Sequence, residues 1–170
     1  MAQSIITLTT DFGVDSPYVA AVKAVIFSIH PEVTLVDITH AIPAQDVDAA
    51  AWALLDVTPR FPAGTIHVVV VDPGVGSDRK IVYAEIDRQV YIAPDNGVLT
   101  RVARHGSPAR FRAVTEPRFM LDPVSQTFHG RDIFTPVAAH LSLGVAPEEL
   151  GEAIGSLFYL PMPKDRKSVV

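Results

Sequence analysis

Residues Ile66 to Val71 (IHVVVV) form the most hydrophobic stretch of this chain and restrict its fold more than any other segment. A run that is apolar at successive positions has no polar side to turn to water. As a strand it must be covered on both faces, which is the situation of a central strand in a parallel sheet. Two strand–helix units lead up to it. Ser4 to Thr10 (SIITLTT) is β-branched and apolar and reads as the first strand. Ser16-Pro17 then supplies an N-cap and a first-turn proline. Tyr18, Val22, Val25, Ile26 and Ile29 recur at helical spacing behind it, and Pro31 disfavours a helical conformation at His30 and so ends the helix there. Val33 to Ile38 is a second strand. Asp46 to Val57 is a second helix, with Val47, Ala50, Ala51, Leu54 and Leu55 on one face. The order β-α-β-α-β predicts an α/β fold: a three-layer sandwich with a mainly parallel, Rossmann-like central sheet and right-handed crossovers.

Beyond the central strand the pattern changes. Ile81 to Ile86 and Val90 to Ala93 are separated only by Asp87-Arg88-Gln89, which predicts a hairpin at a sheet edge. Phe111 to Thr115 is a further candidate strand. Arg131 to Leu143 is a last helix closed by Gly144, with Pro136 either kinking it or marking its start behind Thr135 as N-cap. Trp52, within the second helix, is expected in the core, and His30, His67, His105 and His140 are expected to be structural. The chain of 170 residues fits one domain, expected over 1–158, and 159–170 is expected to be a truncated linker because LPMPKDRKSVV carries no amphipathic period. No apolar run reaches the ~18 residues of a membrane span, and no basic stretch precedes an apolar one at the N-terminus as in a secretory signal. A cytoplasmic protein is the expectation.

Composition removes several function classes. Lys+Arg 14 against Asp+Glu 19 leaves a net charge of −5, which offers no basic footprint for nucleic acid. With no cysteine, a thiolate metal site and a cysteine nucleophile are excluded. In open α/β sheets, ligands bind beyond the carboxyl ends of the strands. Asp11, His40 and Asp72 follow the first, second and third strands, so all three are expected on one rim. Asp11 lies in TTDFGVD, where Gly13 allows a tight turn; a carboxylate there can accept both hydroxyls of a ribose, bind a metal, or cap the turn. Asp72-Pro-Gly-Val-Gly-Ser-Asp-Arg79 forms a compact loop between two strands, so Asp72 and Arg79 can meet as a carboxylate–guanidinium pair or stay a solvated ion pair. Arg79 stands where a dinucleotide fingerprint needs its third glycine, which rejects that motif. His129, in Phe128-His129-Gly130-Arg131-Asp132, precedes the last helix, whose dipole favours a neutral imidazole. Asn96-Gly97 read alone is a turn.

Together these segments resemble the S-adenosyl-L-methionine hydroxide adenosyltransferase family, relatives of the fluorinating and chlorinating adenosyl enzymes. The resemblance rests on ITLTTDFGVDSPYVAAVKAVI at 6–26, PEVTLVDITHAIPAQDV at 31–47, FPAGTIHVVVVDPGVGSDRK at 61–80, YIAPDNGVLT at 91–100 and TFHGRDIF at 127–134, all in order. It implies hydrolysis of S-adenosyl-L-methionine to adenosine and L-methionine by water or hydroxide attack at C5′. It implies a catalytic triad of Asp72, Arg79 and His129, with Asp11 on the ribose hydroxyls and Phe12, Gln45, Asn96 and Phe128 also binding substrate. Gly130 and the residues at the triad positions resemble the hydrolytic branch, since the halogenating relatives carry a Ser at the Gly130 position. The resemblance implies no cofactor and no metal, the small-molecule substrate as the partner, and a homotrimer. The family's C-terminal β-barrel-like domain is expected to be absent, which would impair adenine binding and activity.

Two other readings stand beside it. One is a non-catalytic nucleoside-binding or assembly fragment. The other is a metal-dependent nucleoside hydrolase, whose DTDxGxDD motif is echoed from Thr9 to Ser16 but lacks carboxylates at Thr9 and Ser16. Calcium takes ~6–8 oxygen ligands, so the loss weakens that reading.

Overall fold

The structure, a computed structural model, describes residues 3–162. Strand β1 (Ile5–Thr10) leads to helix α1 (Pro17–Ile29), β2 (Thr34–Thr39), helix α2 (Val47–Val57) and β3 (Ile66–Val70). The expected Ser16 cap forms, its side chain accepting from the Tyr18 amide; Asp46, expected as the first residue of the second helix, instead caps it, its side chain accepting from the Ala49 amide. β4 (Ile81–Ile86), β5 (Gln89–Pro94), α3 (Thr100–His105), β6 (Pro108–Ala113), α4 (Thr135–Ser142) and the two-residue β7 (Ala153–Ile154) follow. Residues 159–162 have no regular secondary structure, and 163–170 of the expected linker lie outside the described residues.

One seven-stranded sheet runs β2-β1-β3-β5-β4-β6-β7. β2, β1, β3 and β5 are parallel; β4, β6 and β7 add an antiparallel half. β3 is central and every residue of it is buried. α1 and α4 pack on one face through Val22, Ile26, Val137 and Ala138. α2 and α3 pack on the other through Ala50, Leu54, Val102 and Ala103. The sheet between two helical layers is thus the three-layer α/β arrangement.

Several expectations are corrected. The β4–β5 hairpin is not at an edge. β5 inserts beside β3, and β6 covers β4, because Val82, Tyr83, Ala84, Tyr91, Ile92 and Ala93 are apolar on both faces and must be buried on both. α3 was not anticipated. Thr135 is not an N-cap: a π-helical turn at Gly130–Phe134 runs directly into α4, and the Thr135 hydroxyl donates back to the Gly130 carbonyl at 2.9 Å. Trp52 is not in the core. It is about half exposed, and the Arg101 guanidinium lies 3.7 Å from its ring centroid, itself paired with Asp48. Among the described residues no helix is long and apolar enough to cross a membrane.

Candidate active site

The parallel order β2-β1-β3 brings Asp11, His40 and Asp72 to the carboxyl edge of adjacent strands. Asp72 leaves the sheet just after β3, and the loop returns to β4 through Arg79. Two turns close it, with Val75 N–H donating to the Asp72 carbonyl and Ser77 N–H to the Gly74 carbonyl. Gly76 is required here for two reasons: its φ is +77°, and a Cβ would stand 2.7 Å from the Gln126 carbonyl oxygen. That close approach presses the loop against the segment carrying His129.

Arg79 is the hub. Its Nε donates to both Asp72 oxygens at 2.9 Å, and its Nη2 donates to Asp72 Oδ2 and, at 2.8 Å, to His129 Nδ1. The Asp72 and Arg79 side chains are 5% and 11% exposed, so this pair is shielded from solvent rather than a solvated surface bridge. A guanidinium has no acceptor and stays charged. His129 Nδ1 must therefore accept, which assigns the ring proton to Nε2. Burial, then the Arg79 charge, hold the His129 imidazole below its ordinary range. The neutral ring expected from the helix dipole is thus obtained mainly from burial and Arg79.

Across the cleft, Asp11 Oδ2 accepts the backbone N–H of Gln45 at 2.7 Å, and Gln45 holds a left-handed φ of +63° to present it. Gly13 N–H donates to the His40 carbonyl at 2.9 Å, and His40 Nδ1 lies 2.8 Å from the Thr10 hydroxyl, so His40 braces the Asp11 turn. Asp11, Phe12, Gln45, Asp72 and His129 line one cleft of about 190 Å³. Tyr18 lines it too, though its spacing marked it only as a core-facing helix residue. The signal was its place in the first turn of α1, directly beyond the Asp11 loop. Burial pushes the Tyr18 phenol up to about 12, and its hydroxyl has no hydrogen-bond partner among the described residues. Phe128 stands outside the lining, its ring 4.9 Å from that of Tyr18. Asn96 also stands outside it, with its side-chain amide donating to the Val71 carbonyl. Gly130 is tight: a Cβ would be 3.1 Å from Val70 Cγ1 and 3.2 Å from Phe12 Cζ, so any side chain there crowds the cleft floor.

Among the described residues no three His, Asp or Glu side chains gather as a metal-binding cluster. A second hollow of 220 Å³ lies at the opposite end of the sheet, near Leu55, Asp87 and His105, and has no comparable set of paired groups.

The chain as a whole is similar to known proteins. Residues 6–151 match the model of the SAM hydroxide adenosyltransferase N-terminal domain. A (R)-S-adenosyl-L-methionine hydrolase of Thermus thermophilus is 43% identical over 152 residues, which is 85% of this chain and 59% of the relative. A protein of the same name from Salinispora arenicola is 38% identical, covering 93% of this chain and 61% of the relative. A crystal structure of an uncharacterized conserved protein from Thermotoga maritima superposes with a TM-score of 0.90 at 42% identity, over 94% of this chain and 62% of that one. The chain spans about three fifths of the length of the relatives it matches. It belongs to the SAM hydroxide adenosyltransferase family, and residues 6–151 are the family's N-terminal domain.

Proposed function

We propose that this chain hydrolyses S-adenosyl-L-methionine to adenosine and L-methionine. The observation that carries the reading is Arg79 bridging Asp72 and His129 on one wall of a cleft whose other wall is Asp11. The names of the relatives support the substrate. The water oxygen forms a bond to C5′ while the C5′–S bond breaks. The bonding pair goes to sulfur, so the sulfonium becomes the neutral thioether of methionine and needs no acid to leave. One water proton must be accepted. His129 Nδ1 is taken by Arg79, so His129 serves as an Nε2–H donor that orients the water. Asp72 is left as the acceptor: a carboxylate has about four lone-pair directions, and Arg79 supplies three contacts. Its negative charge also faces the sulfonium. Holding one water in line with the C5′–S bond is the main catalytic task.

Asp11 has one oxygen engaged by Gln45 and the other open for ribose hydroxyls, with Phe12 as an apolar contact for the nucleoside. At 190 Å³ the cleft is smaller than the ~300–1,000 Å³ of typical ligand sites, which supports a site completed by a second surface, as in a homo-oligomer. Asp11→Ala is expected to raise KM about tenfold or more while kcat changes little, since ribose contacts hold substrate and transition state alike. Steady-state kinetics check this, and a pure kcat loss would reverse the role.

The reaction itself is tested by incubating the protein with S-adenosyl-L-methionine in oxygen-18 water and analysing products by chromatography and mass spectrometry. Adenosine carrying the label on its 5′ oxygen, with free methionine, is the expected result. Adenine with S-ribosyl-L-methionine labelled at C1′ would indicate a nucleoside hydrolase, and binding without turnover would indicate a non-catalytic module.

A further inference from the structure

The β3–β5 ladder stops early. Its paired residues are Ile66 with Val90, His67 with Tyr91 and Val68 with Ile92, and beyond Val68 no further pairs form. Asp72 emerges four residues after Val68; β1 still pairs with β3 as far as Val70, but on the β5 side backbone pairing no longer holds the strand exit. A side chain takes over. Asn96, in the turn between β5 and α3, donates from Nδ2 to the Val71 carbonyl at 2.9 Å, and its Oδ1 accepts from the Val98 amide at 3.1 Å. The adjacent Asp95 N–H donates to the Lys80 carbonyl at 2.8 Å. Val71 directly precedes Asp72 and Lys80 directly follows Arg79. Two neighbouring residues therefore hold both ends of the loop whose two terminal side chains form the ion pair.

We propose that Asn96 is a positioning residue: with the Asp95 amide it staples the ends of the Asp72–Arg79 loop and so sets where that pair meets His129. This rests on the hydrolase reading for its catalytic consequence, and it gives Asn96 a role through Asp72 rather than on the substrate. Both polar atoms of its side chain are spent inside the protein. Loss of the Nδ2 donor frees the Val71 carbonyl and lets Asp72 shift. Near-attack geometry tolerates little such displacement.

The test compares Asn96→Ser and Asn96→Asp with Thr100→Val. Both of the first two keep an oxygen for the Val98 amide; Asn96→Asp has no donor for the Val71 carbonyl, and the Asn96→Ser hydroxyl is one bond shorter than the amide that spans to it. The third removes the acceptor of the Leu160 amide from the same turn without touching either end of the loop. The His129 imidazole is followed by NMR titration, assigned with a His129→Gln spectrum. In Asn96→Ser its midpoint is expected to rise by about half a pH unit or more as Arg79 drifts from it, with no change in Thr100→Val. In turnover assays both Asn96 variants are expected to lose about tenfold or more in kcat with KM within about threefold. Wild-type titration and kcat in the Asn96 variants would overturn the proposal. So would a pure KM rise, which makes Asn96 a substrate contact, or unfolding of both Asn96 variants beside a folded Thr100→Val, which makes it a folding residue. If the unaltered protein makes no adenosine, the hydrolase reading fails while the His129 titration still decides the role of Asn96.

Discussion

Asp72→Ala is expected to lower kcat by about 100-fold or more while leaving KM within about threefold, as follows from the proposed role of the carboxylate on the reacting water rather than on the ribose. The change also leaves the Arg79 guanidinium, 11% exposed, without its counter-charge. Removing one partner of a buried pair typically costs ~3–5 kcal/mol, so the variant is expected to unfold at lower denaturant concentration as well. Asp72→Asn separates the two effects. It keeps an oxygen for Arg79 Nε and most of the shape, so stability should recover in part while kcat stays low. Steady-state kinetics and urea unfolding on both variants check this. An Asp72→Asn enzyme with near-normal kcat would refute the assignment of Asp72 as proton acceptor.

A second large effect is expected in acid, and its origin is a residue remote from the cleft. His67 lies in β3 with no exposed surface. Its Nδ1 is 2.7 Å from the Thr7 hydroxyl and its Nε2 is 3.2 Å from Gln89 Oε1, while Gln89 Nε2 donates to the Phe61 carbonyl at 2.7 Å. Gln89 Oε1 only accepts, so the proton sits on Nε2 and Nδ1 accepts from Thr7; the ring is satisfied in its neutral form. Burial pushes its pKa down from 6.5 to about 4. Between those two values the unfolded chain binds a proton that the folded chain refuses. Stability is then complete above the unfolded value and is lost as pH falls toward the folded one. Two to three units at ~1.4 kcal/mol each give a loss of about 3 kcal/mol. His129 and His140 are shifted in the same direction and add to the same window. Urea unfolding at steps from pH 7 to pH 4 should show this decline, and His67→Gln, which cannot titrate, should show a flatter one. Parallel curves for the two proteins would locate the acid sensitivity elsewhere.

Local chemistry along the chain was enough for the parallel half of the fold and for half of the site. β-branched runs at 5–10, 34–39 and 66–70 alternate with helices announced by Ser16-Pro17 and by the apolar spacing from Val47 to Leu55, and each of those signals lies within a few residues of its effect. The Asp72–Arg79 pair was legible for the same reason: seven residues and a loop built on Pro73, Gly74 and Gly76 leave the two ends little choice but to meet. The third member was not legible from spacing. His129 is 50 residues from Arg79, and only packing of the 125–129 segment against Gly76 brings its ring to the guanidinium; the family resemblance supplied that link, not the pattern of the chain. Strand order was hidden likewise, since hydrophobicity states that β4 and β5 are buried but not that β5 enters beside β3 ahead of β4. Trp52 is an apolar residue on a helix that packs by its alanines and Leu54, and the guanidinium stacked on it comes from Arg101, far along the chain. The contacts that hold Asp11 and Asp72 involve the amide of Gln45 and the carbonyl of Val71. Every residue carries such backbone groups, so side-chain pattern cannot single these two out; the tertiary arrangement selects them by placing a carboxylate or an amide within reach.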